Sequence, residues 1–362
     1  MEVSQLPARQ RIDQQKLDFL RGLAAVYVLI NHARGTFYVG GVRIFADPGS
    51  SIWDRLAAVI LQGTSLGAEF VVLFFVLSGF AMAHSIRYTS DTGRFYLKRV
   101  VRIWPPYIAA TLFALAVGIA IGSEEIQRRW VEVLFYISPE TELTPQFWSL
   151  PYEVVFYALC PFILASEARI RGLAIAAIAL TLVTMAAIGP MLNPSSHFIL
   201  NFAGNELLFF AVGAFSYYHL DRVPLLSLKR FLIIGIFGLG IVWAVRMAFG
   251  GPNMVSSLMM VGLSVLAIRN APDVPKWANL GYFSYSIYIF HLATISAIAA
   301  IVARQGIEPS EIRNPFAWIL AVPATLGICL LLYGFTERIS NRMVARIRAR
   351  PSPRDLPAGQ EQ

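Results

Sequence analysis

The sequence predicts an all-α membrane protein, a polytopic bundle of about ten transmembrane helices with both termini in the cytoplasm. Of its 362 residues, 56% are hydrophobic and only 14% are charged, whereas about 25% of the residues in soluble domains are charged. The mean hydropathy is +0.59, and apolar runs of about 20 residues, the length that crosses a bilayer, recur along the chain. We expect one membrane domain over residues 1–350 and a short, Pro-rich, disordered cytoplasmic tail over residues 351–362.

The apolar runs give the predicted spans in chain order. They lie near residues 17–39, 67–85, 106–122, 148–165, 171–190, 200–219, 230–249, 254–269, 281–303 and 315–336. With the N-terminus in the cytoplasm, most of the 30 Lys and Arg residues fall in cytoplasmic connections, as the positive-inside rule requires. An odd number of spans would lose this agreement. The N-terminus shows no signal-peptide cleavage pattern, so we expect the first span to be retained.

The net charge of +8 does not indicate nucleic acid. The basic residues lie in short connections between apolar runs, which is typical of membrane topology and of contact with membrane lipid. Cys160 and Cys329 both lie inside apolar runs and are expected to be packing residues. No spacing of ligand residues indicates a metal site.

The first span carries polar residues that lipid does not favour. His32 follows Arg21 by eleven positions, which is close to three helical turns, so both side chains lie on one helix face about 16 Å apart. Charged and ionisable residues inside a span usually face a protein interior and mark function. Each residue alone also has a simpler explanation, snorkelling for Arg21 and a hydrogen-bonded packing role for His32.

A basic segment precedes the third span. Arg94, Lys98 and Arg102 follow the i, i+4 spacing of one helix face, and Arg99 lies one turn before Arg102. The prolines that follow, in the sequence "RIWPPY", predict a break before the span. On the sequence alone, an interfacial helix held by anionic lipid is favoured. A phosphate clamp is the alternative, because guanidinium groups suit phosphate oxygens.

Later spans add further candidates. Glu153 lies near the outer end of the fourth span, and His291 lies near the middle of the ninth. Glu206 and Arg246 lie at a similar outward depth, which predicts a structural Glu–Arg pair. In the second span, Gly79 is expected to mark close helix packing. No P-loop, Rossmann glycine pattern, HExxH, CxxC or GxSxG motif is present.

Together these stretches resemble the acyltransferase 3 family, which includes acetylases of O-antigen, exopolysaccharide and Nod factor. The marks are "LDFLRGLAAVYVLINH", "FFVLSGF", "KRVVRIWPPY", "FWSLPYEVVFY", "FSYSIYIFH" and, more weakly, "YGFTERISNRM". The resemblance implies a multi-pass enzyme of the bacterial inner membrane. It would transfer an acyl group, usually acetyl, from cytoplasmic acyl-CoA to a sugar hydroxyl. Acyl-CoA is then a donor substrate, the acceptor is a carbohydrate, and no permanently bound cofactor is expected.

The resemblance also implies roles for the basic residues. The family's Arg-x10-His pair falls on Arg21 and His32, and its Arg-x-x-Arg pair on Arg99 and Arg102. Arg99, Arg102 and Arg21 would bind the donor phosphates from the cytoplasm. Glu337 lacks the proline that usually follows it in the family, which leaves its role open.

For the chemistry, His32 is the expected centre. It could act as general base toward the sugar hydroxyl, or accept the acetyl group itself and pass it on. Glu153 is expected to orient or deprotonate the imidazole, and His291 to stabilise the developing oxyanion.

The main alternative is a polytopic transporter or flippase whose intramembrane polar residues relay protons. Inverted repeats and paired broken helices would support a transporter, and the sequence shows no clear repeat. A purely structural or regulatory membrane protein does not explain an Arg–His pair on one face together with a basic helix before a span.

Overall fold

The computed structural model describes residues 14–87, 91–163, 206–272, 280–314 and 317–349, with isolated positions at 168–170, 172, 176 and 274. The described residues are predominantly helical and contain no strand, as the sequence predicted. The α-helices, numbered in chain order, are α1 (Gln14–Phe37), α2 (Gly41–Ala46), α3 (Ile52–Leu61), α4 (Gly67–Arg87), α5 (Thr92–Ile121), α6 (Glu124–Leu134), α7 (Leu150–Ile163), α8 (Leu207–His219), α9 (Leu228–Ala248), α10 (Met254–Asn270), α11 (Leu280–Ala303), α12 (Ala317–Phe335) and α13 (Glu337–Ala349).

The long helices coincide with the predicted spans wherever those spans are described. Within the described ranges, five stretches are long and apolar enough to cross a membrane: Ile52–Arg87, Thr92–Ile121, Leu228–Ala248, Leu280–Ala303 and Trp318–Phe335.

Parts of the prediction lie outside the described residues. These are the span near 171–190, the start of the span near 200–219 and the tail from residue 351. The total of about ten spans and the disorder of the tail stay predictions.

Successive helix ends meet at two opposite ends of the bundle. We call the end where α1 begins the first end, and the end where α1 finishes the second end. At the second end, Arg304 after α11 donates to the carbonyl of Ala120 in α5, at 3.0 Å. At the first end, the N–H of Leu226 before α9 donates to the side chain of Asn270 in α10, at 2.7 Å. These contacts fit the alternating path that the sequence predicts. The cytoplasmic position of the first end stays a prediction.

The predicted break before the third span is wrong. Helix α5 runs without interruption from Thr92 to Ile121, with Pro105 and Pro106 inside it. The two prolines leave the carbonyls of Val101 and Arg102 without their intrahelical donors, and prolines are tolerated in this way inside membrane helices. One turn of the helix is also tied to α11, where Tyr285 donates to the adjacent carbonyl of Ile103 at 3.2 Å. The basic segment is therefore a rigid extension of the span.

Helices α1 and α11 pack closely through glycines near the first end. A Cβ atom on Gly22 would collide with Leu280, and a Cβ atom on Gly281 would collide with the backbone of Asp18. The two helices run in parallel from this contact, which aligns the polar face of α1 with α11.

Helices α4 and α8 pack in the same way. A Cβ atom on Gly79 would collide with the carbonyl of Phe210, and one on Gly213 would collide with the carbonyl of Val76. Small residues let membrane helices approach backbone to backbone. The prediction that Gly79 marks close helix packing is confirmed.

A buried ion pair joins α4 to α9, and its acidic member differs from the predicted one. Arg246 donates to both carboxylate oxygens of Glu69, at 3.0 and 2.8 Å, and the side chain of Glu69 is fully buried. Ser256 of α10 also donates to Glu69, at 3.0 Å. The expected pairing of Arg246 with Glu206 is wrong because Glu69, at the start of α4, faces α9 and α10.

Candidate active site

A narrow cavity of about 80 Å³ lies inside the bundle, toward the first end. Arginine, carboxylate and hydroxyl groups from five helices face it. Its polar lining residues are Arg21, Ser78, Arg99, Arg102, Ser149, Glu153, Tyr157, Ser284, Tyr285 and Tyr288. We call it the arginine cavity.

Aromatic rings hold Arg99 in place. Its guanidinium carbon lies 5.3 Å from the ring centre of Phe95 and 5.4 Å from that of Tyr157, within the range of cation–π attraction. One nitrogen, Nη2, donates to Ser85 at 3.2 Å, and buried Nε has no partner among the described groups. Arg99 is therefore fixed in orientation yet keeps donors for a further anion.

Arg21 and Arg102 complete the cationic lining. Arg21 is 12% exposed and pairs with Asp18 at 3.3 Å, one turn earlier on α1. Arg102 forms no hydrogen bond or ion pair recorded among the described residues. The favoured lipid interpretation of the basic segment is wrong for Arg99 and Arg102, because both face this interior cavity.

Glu153 belongs to the arginine cavity. It accepts a hydrogen bond from Tyr157, one turn later on α7, and a longer one from Ser78 of α4, at 3.4 Å. Within the described part of the chain, the structure records no contact between Glu153 and His32. The structure thus brings Glu153 together with the three arginines. Among the described contacts, none joins Glu153 to His32, so its expected role toward the imidazole is not supported by a direct contact.

His32 and His291 meet between α1 and α11. Their ring centres are 5.2 Å apart, and their planes are inclined by 40°. His291 is fully buried, and its Nδ1 lies 2.8 Å from the carbonyl of Tyr288 and 3.0 Å from that of Ile287. Carbonyls only accept, so Nδ1 carries the proton. In the neutral ring Nε2 then presents a lone pair, and the described residues offer it no partner.

Tyr288 lies between the arginine cavity and the histidine pair. Its side chain lines the cavity, and its ring centre is 6.1 Å from that of His291, one turn later on α11. It donates to the carbonyl of Gln146 at 2.9 Å, so the hydroxyl of Ser149, 2.7 Å away, donates to it. The two polar clusters therefore follow one another along α11.

Glu337 is the residue whose role the sequence left open. At the start of α13 it is 1% exposed, and it accepts hydrogen bonds from the N–H and the hydroxyl of Ser286, at 2.9 and 2.7 Å. Burial raises the pKa of this carboxyl to about 7, while Ser286 and the nearby Arg102 lower it. Glu337 joins α13 to α11 beside the cavity.

Sequence reasoning missed Tyr157 and Tyr288. Tyr157 stands four residues after Glu153, and Tyr288 stands three before His291, so helical spacing from a polar residue was the available signal. In an aromatic-rich span that signal does not stand out. Among the described residues, no group of three His, Cys, Asp or Glu side chains could hold a metal ion.

The chain is similar to known proteins of one family. The family described as the Acyltransferase domain matches residues 14–334. Nodulation protein 10 of Rhizobium leguminosarum bv. viciae is 24% identical, over 93% of this chain and 96% of that protein. The exopolysaccharide production protein ExoZ of Rhizobium meliloti (strain 1021) is 28% identical, over 76% of this chain and 89% of that protein. No solved structure matches the chain.

Proposed function

The chain belongs to the acyltransferase 3 family, and we propose that it transfers an acyl group, acetyl in the first instance, from cytoplasmic acyl-CoA to a hydroxyl of a cell-surface or exported carbohydrate. The observation that carries the proposal is the order of the two clusters. Three arginines line a cavity toward the first end, and two histidines lie one turn beyond it. The names of the two relatives, which refer to nodulation and exopolysaccharide production, support a carbohydrate acceptor.

The arginine cavity suits the donor. Acyl-CoA carries phosphates that need charge-assisted donors, and Arg99 and Arg102 face the cavity from α5 while Arg21 faces it from α1. The pantetheine arm is thin enough to run between helices, past Tyr288 toward His32. Glu153 lies among these arginines and accepts a hydrogen bond from Tyr157. We therefore assign it the role of orienting Arg99 and the neighbouring arginines through Tyr157.

The histidine pair suits proton transfer. In direct transfer, the hydroxyl oxygen attacks the thioester carbonyl while His32 takes the hydroxyl proton. The C–S bond then breaks, and the proton passes to the departing thiolate. In the two-step version, His32 attacks the carbonyl, the C–S bond breaks, and the proton of the other ring nitrogen passes to the departing thiolate. The acceptor hydroxyl then attacks the acyl-imidazole, the C–N bond breaks, and the hydroxyl proton returns to the ring. His291 could stabilise the oxyanion only with a protonated ring, because its neutral ring presents a lone pair at Nε2. The neutral ring suits it to accept a hydrogen bond from His32.

Labelled acetyl-CoA tests the proposal. Purified protein in nanodiscs, given radiolabelled acetyl-CoA and surface glycans, should release CoA and label the glycan. The change His32→Ala should lower the rate by roughly 10²- to 10⁴-fold, whereas His84→Ala, at the far end of α4 and outside the cavity lining, should leave it unchanged.

Two results would contradict the proposal. Normal glycan acetylation by the His32→Ala protein would remove His32 from the chemistry. Protein that moves glycan across the membrane and never consumes acetyl-CoA would instead be the transporter considered above.

A further inference from the structure

A second cavity lies on the other side of the α1–α4 wall. It has a volume of about 280 Å³ and lies between α1, α4, α9 and α10, with an almost entirely apolar lining. Leu20 and Leu73 form its inner wall, and Leu232, Gly235 and Ala267 lie on its outer side. We call it the apolar groove.

The apolar groove adjoins a surface that faces lipid. Only 6% of the apolar stretch of α9 is buried inside the protein, and Leu232 is 49% exposed. An apolar cavity of this size does not hold ordered water, because water there would find too few polar partners. An alkyl chain from the surrounding bilayer matches both its lining and its position.

Basic residues stand near the mouth of the groove at the first end of the bundle. Lys229 and Arg230 are exposed and directly precede Phe231, which lines the groove. Arg269 lies between the lining residues Ala267 and Ala271 and pairs with Asp221 at 3.5 Å. With Lys229 and Arg230, the described basic residues at this rim outnumber that carboxylate, and the net positive charge complements an anionic headgroup.

We propose that the apolar groove binds one acyl chain of an anionic phospholipid, whose headgroup lies at Lys229 and Arg230. The bound chain supports the α1–α4 wall from the side opposite the arginine cavity. Leu20 and Leu73 of the groove directly precede Arg21 and Phe74 of that cavity. This lipid site does not depend on the proposed acyl transfer.

Photolabelling tests the occupant. The full chain is placed in phosphatidylcholine nanodiscs that contain a minor amount of phosphatidylglycerol with a diazirine on its acyl chain. After illumination, labelled peptides should come from α9 and α10. The change Gly235→Trp should reduce this labelling several-fold by filling the groove. Gly240→Trp is the matched control, because both glycines lie on α9, have no atom within 4 Å of an added Cβ, and only Gly235 lines the groove.

The headgroup is tested separately. Lys229→Gln and Arg230→Gln each remove one positive charge. Each change should lower the preference of photolabelling for phosphatidylglycerol over phosphatidylcholine by about fivefold. Arg128→Gln, an exposed arginine of α6, should not. Equal labelling by both lipids, or labelling that Gly235→Trp leaves unchanged, would overturn the site. Preferential labelling by a diazirine-bearing isoprenyl phosphate would overturn the phospholipid assignment.

Discussion

Replacing Arg99 or Arg102 by glutamine should weaken binding of the acyl-CoA donor without affecting the acceptor. Among the described residues, Arg99 forms one hydrogen bond, to Ser85, and two aromatic rings orient it. The residue lines the cavity, and we expect a phosphate oxygen there to accept hydrogen bonds from its remaining donors. Arg102 lines the same cavity. Glutamine keeps a polar side chain of similar reach but removes the charge.

The expected size follows from the bonds lost. A hydrogen bond between charged groups contributes about 1.5–3 kcal/mol, so each change should raise the donor Kd roughly 10- to 150-fold. Arg99→Lys should fall between Arg99→Gln and the unchanged protein. It keeps the charge but loses the planar group that packs between Phe95 and Tyr157.

The assay is the Kd of acetyl-CoA by titration calorimetry in nanodiscs, together with KM for each substrate. Arg94→Gln is the matched control, because Arg94 lies on the same helix beside Asp91 and does not line the cavity. Unchanged Kd in both Arg99→Gln and Arg102→Gln, or an equal loss in Arg94→Gln, would refute the assignment of the cavity to the donor phosphates.

Two further predictions concern stability in detergent. Arg246→Ala leaves the buried Glu69 carboxylate without its cation and should lower the free energy of unfolding by about 3–5 kcal/mol. Glu206→Gln is the control, because it leaves the Arg246–Glu69 pair intact. Equal losses of thermal stability in the two variants would contradict this pairing. Burial raises the pKa of Glu337 from 4.5 to about 7. Between these two pH values the folded chain keeps a proton that the unfolded chain has released, so the free energy of unfolding falls as pH rises through this window. Glu337→Gln should remove that fall while keeping an acceptor for Ser286, and an unchanged pH slope would show that another group titrates.

The sequence by itself determined the membrane class and the position of the described spans. It also marked Arg21, His32, Arg99, Arg102 and His291 as candidates. These features are local: the length of an apolar run, the repeat of a helix and the high cost of a charge in lipid can all be read from neighbouring residues. The close packing at Gly79 was predictable for the same reason.

Only the tertiary structure decided which of those residues meet. His32 meets His291 across 259 positions of chain because glycines bring α1 and α11 together, while Glu153 turns toward the arginines. Arg246 pairs with Glu69, and α5 continues as one helix through Pro105 and Pro106. Such outcomes depend on which helix faces are neighbours, and that depends on packing between segments far apart in the chain. A linear pattern gives each polar residue its depth and face, but its partner is set by the helix that packs against that face.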